Sequence, residues 1–137
     1  MPALLSLEGA LFSDPYSERS LAETLAAPYT AAYLALSDGE PIGYLIATLL
    51  PPEGEILRIG VLPALRRRGV ARALLTVLLA DATRDTSLYL EVRRGNTGAL
   101  ALYASVGFQT VGIRKNYYRS PTEDAVLMCR PSEEEKK

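Results

Sequence analysis

The sequence predicts a mixed α/β domain, with a mostly antiparallel sheet that contains one parallel pair and is flanked by about four helices. Three observations predict it. Two β-rich runs, Tyr29–Ser37 and Pro41–Leu50, are joined by Asp38-Gly39-Glu40, a hairpin signal. The stretch Glu55–Asp81 reads as a short apolar strand, a basic turn ending in glycine, and an apolar helix. Leu88–Arg93 then alternates as a strand, so strand, helix and strand follow directly and a parallel, right-handed crossover is expected.

Taken in order, residues 3–12 predict a first short helix ending near Phe12. Ser13-Asp14-Pro15-Tyr16 is turn-rich, and Ser17 is placed to cap a second helix to about Ala26, which Pro28 stops. After the hairpin, Pro51-Pro52-Glu53-Gly54 breaks the chain ahead of the strand that begins at Glu55. Asn96 caps a helix from Thr97 to Val106, which Gly107 ends. Two last strands, near 108–114 and 124–130, enclose the connection Lys115–Pro121. The end of the chain, 132–137, is charged and expected to be disordered, leaving residues 1–131 as a single domain.

Composition narrows the chemistry. At 137 residues and 48% apolar, the chain buries a core without staples. A net charge of -1 argues against a general nucleic-acid footprint. Cys129 is the single cysteine, so there is neither a disulfide framework nor a zinc spacing, and no metal is expected. The sequence contains no histidine, which removes the commonest general base. Without a signal peptide or a long apolar run, a soluble cytoplasmic protein is expected, a monomer or weak dimer that binds neither nucleic acid nor membrane.

The strongest local signal is Arg66-Arg67-Arg68-Gly69-Val70-Ala71. A loop between a strand and a helix N-terminus presents free N–H groups and the positive end of the dipole to an anion. Pro63 fixes how the chain enters this loop, and Gly69 removes a Cβ where backbone would approach a ligand. It lacks the Gly-Lys-Ser/Thr of a nucleoside-triphosphate loop and the Gly-x-Gly-x-x-Gly of a dinucleotide turn. A different phosphate-bearing cofactor is favoured.

Val61-x-Pro63-x-x-Arg66-x-x-Gly69-x-Ala71 resembles the acetyl-CoA motif of the Gcn5-related N-acetyltransferase (GNAT) superfamily. Leu90-Glu91-Val92-Arg93, Asn96, Ala101-Leu102-Tyr103 and Val106-Gly107-Phe108 continue the likeness, which covers about residues 42–130. Ile113-Arg114-Lys115-Asn116-Tyr117-Tyr118 and Glu123-Asp124-Ala125 narrow it to the branch that acetylates ribosomal-protein alanine N-termini. The resemblance implies a sheet with a splayed parallel pair. It departs at the start, where the family opens with a strand and Met1-Pro2 leaves almost no room for one. It implies that the backbone of Arg66, Arg67, Arg68, Gly69, Val70 and Ala71, with Arg72, holds the CoA diphosphate. The main chain of Ile59 and Val61 would pair with the pantetheine arm, and Asn96 would contact CoA besides capping its helix. A backbone nest needs no particular side chain, so the arginines read either as ligand contacts or as solvated charge.

Acetyl transfer to an amine needs a proton acceptor and a stabilised leaving thiolate. Without histidine the base is a carboxylate, a tyrosine or water. Glu91 points to the same strand face as Tyr89 and Arg93; burial there would raise its pKa, while a bridge to Arg93 would oppose that and is the structural alternative. In the family the matching glutamate is proposed to deprotonate the amine, through water. By helical spacing Tyr103 shares a face with Ala99 and Val106 and is a core aromatic. The resemblance makes its hydroxyl the general acid at the CoA sulfur, where an ordinary phenol of pKa about 10 suits a thiolate. Glu55 reads as an exposed strand-edge charge, or as a second base at the place where some relatives carry tyrosine or histidine. Cys129 reads as a buried strand residue, so direct attack on acetyl-CoA is expected rather than an acetyl-enzyme.

For the acceptor, Phe12 and Tyr16 on one connection and Tyr117 and Tyr118 on another offer rings with polar tips suited to an extended peptide. The resemblance implies a protein N-terminus, with a ribosomal protein as the first expectation. A small-molecule or lysine acetyltransferase on the same fold, or a CoA-binding module without catalysis, are the rival readings.

Overall fold

The computed structural model describes residues 2–11, 16–66, 68–119 and 121–133. Their elements are α1 (Pro2–Leu11), α2 (Glu18–Ala26), β1 (Thr30–Ser37), β2 (Glu40–Leu50), β3 (Glu53–Val61), α3 (Val70–Asp81), β4 (Ser87–Arg93), α4 (Thr97–Ser105), β5 (Gln109–Tyr118) and β6 (Glu123–Arg130). The six strands form one mixed sheet in the order β1-β2-β3-β4-β6-β5. The pair joined through α3, β3 and β4, is parallel as expected, over Glu53↔Ser87, Gly54↔Leu88 and Glu55↔Tyr89. The first described element is a helix, so among the described residues no strand precedes α1.

Local signals account for most boundaries. Ser17 accepts from the Ser20 amide and starts α2. Asp38 and Gly39, at φ 52 and 80, turn the β1–β2 hairpin; glycine and aspartate tolerate the left-handed region that such a two-residue turn requires. Asn96 Oδ1 accepts from the Ala99 amide and starts α4, and Gly107, at φ 103, follows its end.

Two boundaries differ from expectation. Glu53 and Gly54 lie in β3 because they pair with Ser87 and Leu88; Pro51-Pro52 alone makes the turn. Residues 115–118 continue β5 instead of forming a loop. Asn116 adopts φ 52, which asparagine accepts readily, and its amide donates to Asp124 Oδ1 at 3.0 Å. That irregularity lets the strand resume at Tyr118↔Glu123. A second irregularity lies near the start of β5, where Thr110 faces Met128 and Gly112 already faces Leu127, leaving Val111 over.

The chain divides into two compact units, Met1–Leu49 with Leu57–Ala82, and Leu50–Ile56 with Thr83–Lys137. In the first, Leu4, Leu7, Leu21, Tyr44 and Ile46 form a buried cluster, with Leu25, Leu57 and Leu62 against it. Each fully buried leucine contributes about 1.5–3 kcal/mol. In the second, Leu88, Leu90, Val92, Phe108, Val126 and Met128 are buried. Ser132 and Glu133, expected in the disordered end, are held there by bonds from their amides to Ser87 Oγ and the Arg84 carbonyl. The rest of that end, 134–137, lies outside the described residues.

Candidate active site

The candidate anion-binding loop belongs to the first unit. Strand β3 carries Ile59 and the buried Val61 into a single 3-10 turn, Pro63–Leu65, with Pro63 in its first turn. Arg66 Nε donates to the Val61 carbonyl at 3.1 Å, so one of the loop's cations braces the loop itself. Arg66, Arg68 and Arg72 are exposed, and Arg67 lies outside the described residues. Gly69, at φ 81 and ψ 8, precedes α3. A Cβ there would meet nothing within 4 Å, so the conformation demands glycine, and no close neighbour does. The first bond inside the helix runs from the Ala73 amide to the Gly69 carbonyl. The amides ahead of it, on Val70, Ala71 and Arg72, point out of the helix end.

The candidate acid–base groups belong to the second unit. Alternation along β4 puts Tyr89, Glu91 and Arg93 on one face, and the parallel register Glu55↔Tyr89 adds Glu55 to it. The cation paired with Glu91 is not Arg93, as the bridge reading had it, but Arg114 of β5, whose Nη2 lies 3.5 Å from Glu91 Oε1. Arg93 is spent elsewhere: its guanidinium lies 4.4 Å over the Tyr118 ring and pairs with Glu123 at 3.3 Å. The Tyr117 hydroxyl donates to the Glu91 carboxylate, which raises the Tyr117 pKa. The Glu91 side chain is 24% exposed. On this face the carboxyl lifted above its ordinary range is that of Glu55; burial is the chief cause and the Glu91 charge the next, with Arg114 opposing both. Glu55 is nonetheless exposed, as the strand-edge reading had it, so burial reaches its carboxyl only in part.

Tyr103 is buried at 6% exposure, its ring edge-on to Phe108 at 5.8 Å. Burial, and then the charge on Tyr118, push its phenol above the ordinary value expected for it. The periodicity reading of a core aromatic holds. Cys129 is buried in β6 as expected.

On the first unit's acceptor side, Phe12 lies outside the described residues. Tyr16 is bound into a network no pattern announced. Its amide donates to Glu8 Oε2 at 2.8 Å, and its ring lies 4.7 Å under the Arg58 guanidinium. Glu8, fully buried, also accepts from the Tyr44 hydroxyl and pairs with Arg58 at 3.4 Å. Glu8 sits in an apolar helix where an isolated acid reads as solvent-facing; the signal was the apolar residues on both sides of it. Arg114 was within a matched motif, but its role depended on strand register.

Against known proteins, the model of the acetyltransferase (GNAT) family matches residues 1–108. The N-alpha-acetyltransferase RimI of Mycobacterium tuberculosis is 46% identical over 132 residues, covering 92% of this chain and 83% of that protein. The ribosomal protein bS18-alanine N-acetyltransferase of Escherichia coli is 33% identical over 135 residues, covering 96% and 90%. The crystal structure of the Escherichia coli ribosomal-protein-S18-alanine N-acetyltransferase superposes with a TM-score of 0.88 at 32% identity, covering 95% of this chain and 86% of that one. Arabidopsis thaliana Naa50 in complex with a CoA–peptide bisubstrate analogue gives a TM-score of 0.78 at 26% identity, covering 92% and 88%.

Proposed function

The chain belongs to the acetyltransferase (GNAT) family, and from that premise we propose that it transfers the acetyl group of acetyl-CoA to the α-amine of a protein N-terminus, of the ribosomal-protein alanine type. The observation that carries the reading is Glu91, a half-open carboxylate on β4 held between a guanidinium and a phenol in a protein without histidine. Acetyl-CoA brings the thioester whose acyl carbon the amine attacks. The residues present fit its diphosphate: the loop 66–72 is cationic, and the space at Gly69 is open. Arg66 to Arg72 would hold that group, Ile59 and Val61 the pantetheine arm through their main chain, and Asn96 a further part of CoA.

Glu91 takes the acceptor's proton, through water. An α-amine, pKa about 8, gives it up more easily than a lysine of about 10.4. Tyr103 keeps its proton at neutral pH because burial disfavours the phenolate. With its phenol above the thiol range of about 8.5–10, it stabilises the leaving sulfur chiefly by donating a hydrogen bond, rather than by giving the proton up completely. Glu55, Tyr117 and Tyr118 of the second unit would contact the acceptor. We place the activity in the cytoplasm, where ribosomal proteins are made; no helix among the described residues is long and apolar enough to cross a membrane.

Turnover of acetyl-CoA with short peptides differing at their first residue, alongside free lysine and polyamines, tests this directly. Acetylation at the α-amine of alanine-starting peptides is expected; acetylation of a small amine with no peptide modified overturns it. Gly69→Val should weaken CoA binding, since a β-branched residue is strained at positive φ. Unaltered CoA affinity in that variant would move the diphosphate away from the loop.

A further inference from the structure

Arg114 reaches Glu91 across an intervening strand. The register runs Arg93↔Ala125 and Arg114↔Ala125, so the small side chain of Ala125 stands between the two arginines on this face. A long side chain is needed to span two strand spacings of about 4.8 Å each. The guanidinium is steadied on the way, with its carbon 5.4 Å from the centre of the Tyr117 ring. The same Tyr117 donates its hydroxyl to the Glu91 carboxylate, so cation and phenol grip one group from one strand.

We propose that Arg114 is a positioning residue for the transfer reaction, aiming the Glu91 carboxylate and supplying its counter-charge from strand β5. The proposal rests on the reading of Glu91 as proton acceptor. Every charged or titratable neighbour on the face agrees with it. Glu55 on β3 is a like charge, and the Glu91 charge raises its pKa. Tyr89 and Arg93 share β4 with it, and Arg93 is committed to Glu123 and to the carbonyls of Arg119 and Pro121. Leu127 of β6, directly opposite Glu91, is uncharged. Among the described residues the counter-charge at Glu91 is therefore Arg114. A purely structural role fits poorly, because the Arg114 side chain is 55% exposed and such pairs add little to folding.

The test is the pH dependence of kcat/KM for an alanine-starting peptide at saturating acetyl-CoA, in wild type, Arg114→Gln and Arg114→Lys. Loss of an opposite charge at this range moves a carboxylate's titration upward by about one pH unit or more. The lower acid limb of Arg114→Gln should therefore shift up by that amount. Activity should fall about tenfold on the limb and recover towards wild type above it. Arg114→Lys should restore most of the limb, and the KM for acetyl-CoA should stay unchanged in both. A profile for Arg114→Gln that overlays wild type, or drops equally at every pH, overturns the proposal while leaving Glu91 as base. Full turnover in Glu91→Gln instead removes the premise, which the same experiment reads separately.

Discussion

Two carboxylates in this protein are dressed almost identically and sit in opposite surroundings. Glu8, in the first unit, takes a hydrogen bond from a tyrosine and an ion pair from Arg58, whose guanidinium lies over the Tyr16 ring. Glu91, in the second, takes a hydrogen bond from Tyr117 and an ion pair from Arg114, whose guanidinium lies over the Tyr117 ring. What separates them is water. Glu8 is sealed, with a further bond from the Tyr16 amide, and the Arg58 side chain is only 17% exposed. Burial leads the causes that raise the Tyr44 phenol beside Glu8, whereas the hydrogen bond to Glu91 leads for Tyr117. The same set of partners fastens α1 and Tyr16 to the sheet in one place, and in the other leaves a carboxylate open to water.

The contrast is broken most severely at Glu8. Replacing it by alanine removes the carboxylate shared by Arg58, the Tyr44 hydroxyl and the Tyr16 amide in a nearly closed site, and should cost about 3–5 kcal/mol in denaturant unfolding. A loss below about 1 kcal/mol would mean that water reaches the cluster after all. Glu91→Gln should do the reverse. Its kcat should fall by about 10²–10⁴ while its unfolding free energy stays within about 1 kcal/mol of wild type. If stability fell instead and turnover held, the two carboxylates would have exchanged roles.

The phenols sharpen the comparison at a smaller scale. Tyr44→Phe withdraws the donor from a buried carboxylate and should cost about 1–3 kcal/mol, read from the shift in urea midpoint. Tyr117→Phe, on the open side, should leave that midpoint nearly unmoved and show itself in the peptide kinetics.

The smallest effect concerns Glu55. Its folded-state pKa lies above the ordinary value, so the folded protein holds this proton more tightly than the unfolded chain does. That contribution is present below the unfolded pKa of about 4.3 and is lost as pH rises through the folded value. Glu55→Gln should thus melt slightly above wild type at pH 7, with the difference closing near pH 4. A difference that widens towards acid would reverse the sign argued here.

Much of this arrangement was legible in the sequence wherever the signal was local. Ser17, Asn96, Gly69 and Asp38-Gly39 each answer to the backbone within a few residues, and each stands where the pattern put it. The loop after β3 and the helix that follows it were readable for the same reason. Pairing across strands was not. Arg93 is two residues from Glu91 and looked like its partner, but register gave that place to Arg114 and gave Arg93 to Glu123. Glu8 escaped because nothing near it in sequence carries its counter-charge; Arg58 arrives from β3. The extension of β5 was hidden by Asn116, a residue that marks a turn in sequence and here serves a bulge pinned by Asp124.

The spare residue at Val111 has a consequence for how this edge strand can vary in length. Thr110 and Gly112 face opposite sides although they are two residues apart. A chain that lost Val111 would simply become regular, keeping Ile113↔Val126 and Arg114↔Ala125 as they are. A full-length chain that ironed the bulge out would slide by one, setting Ile113 against Ala125 and sending Arg114 to the far side of the sheet. A shortened protein would thus keep the pair between Arg114 and Glu91, and an intact one in the wrong frame would lose it.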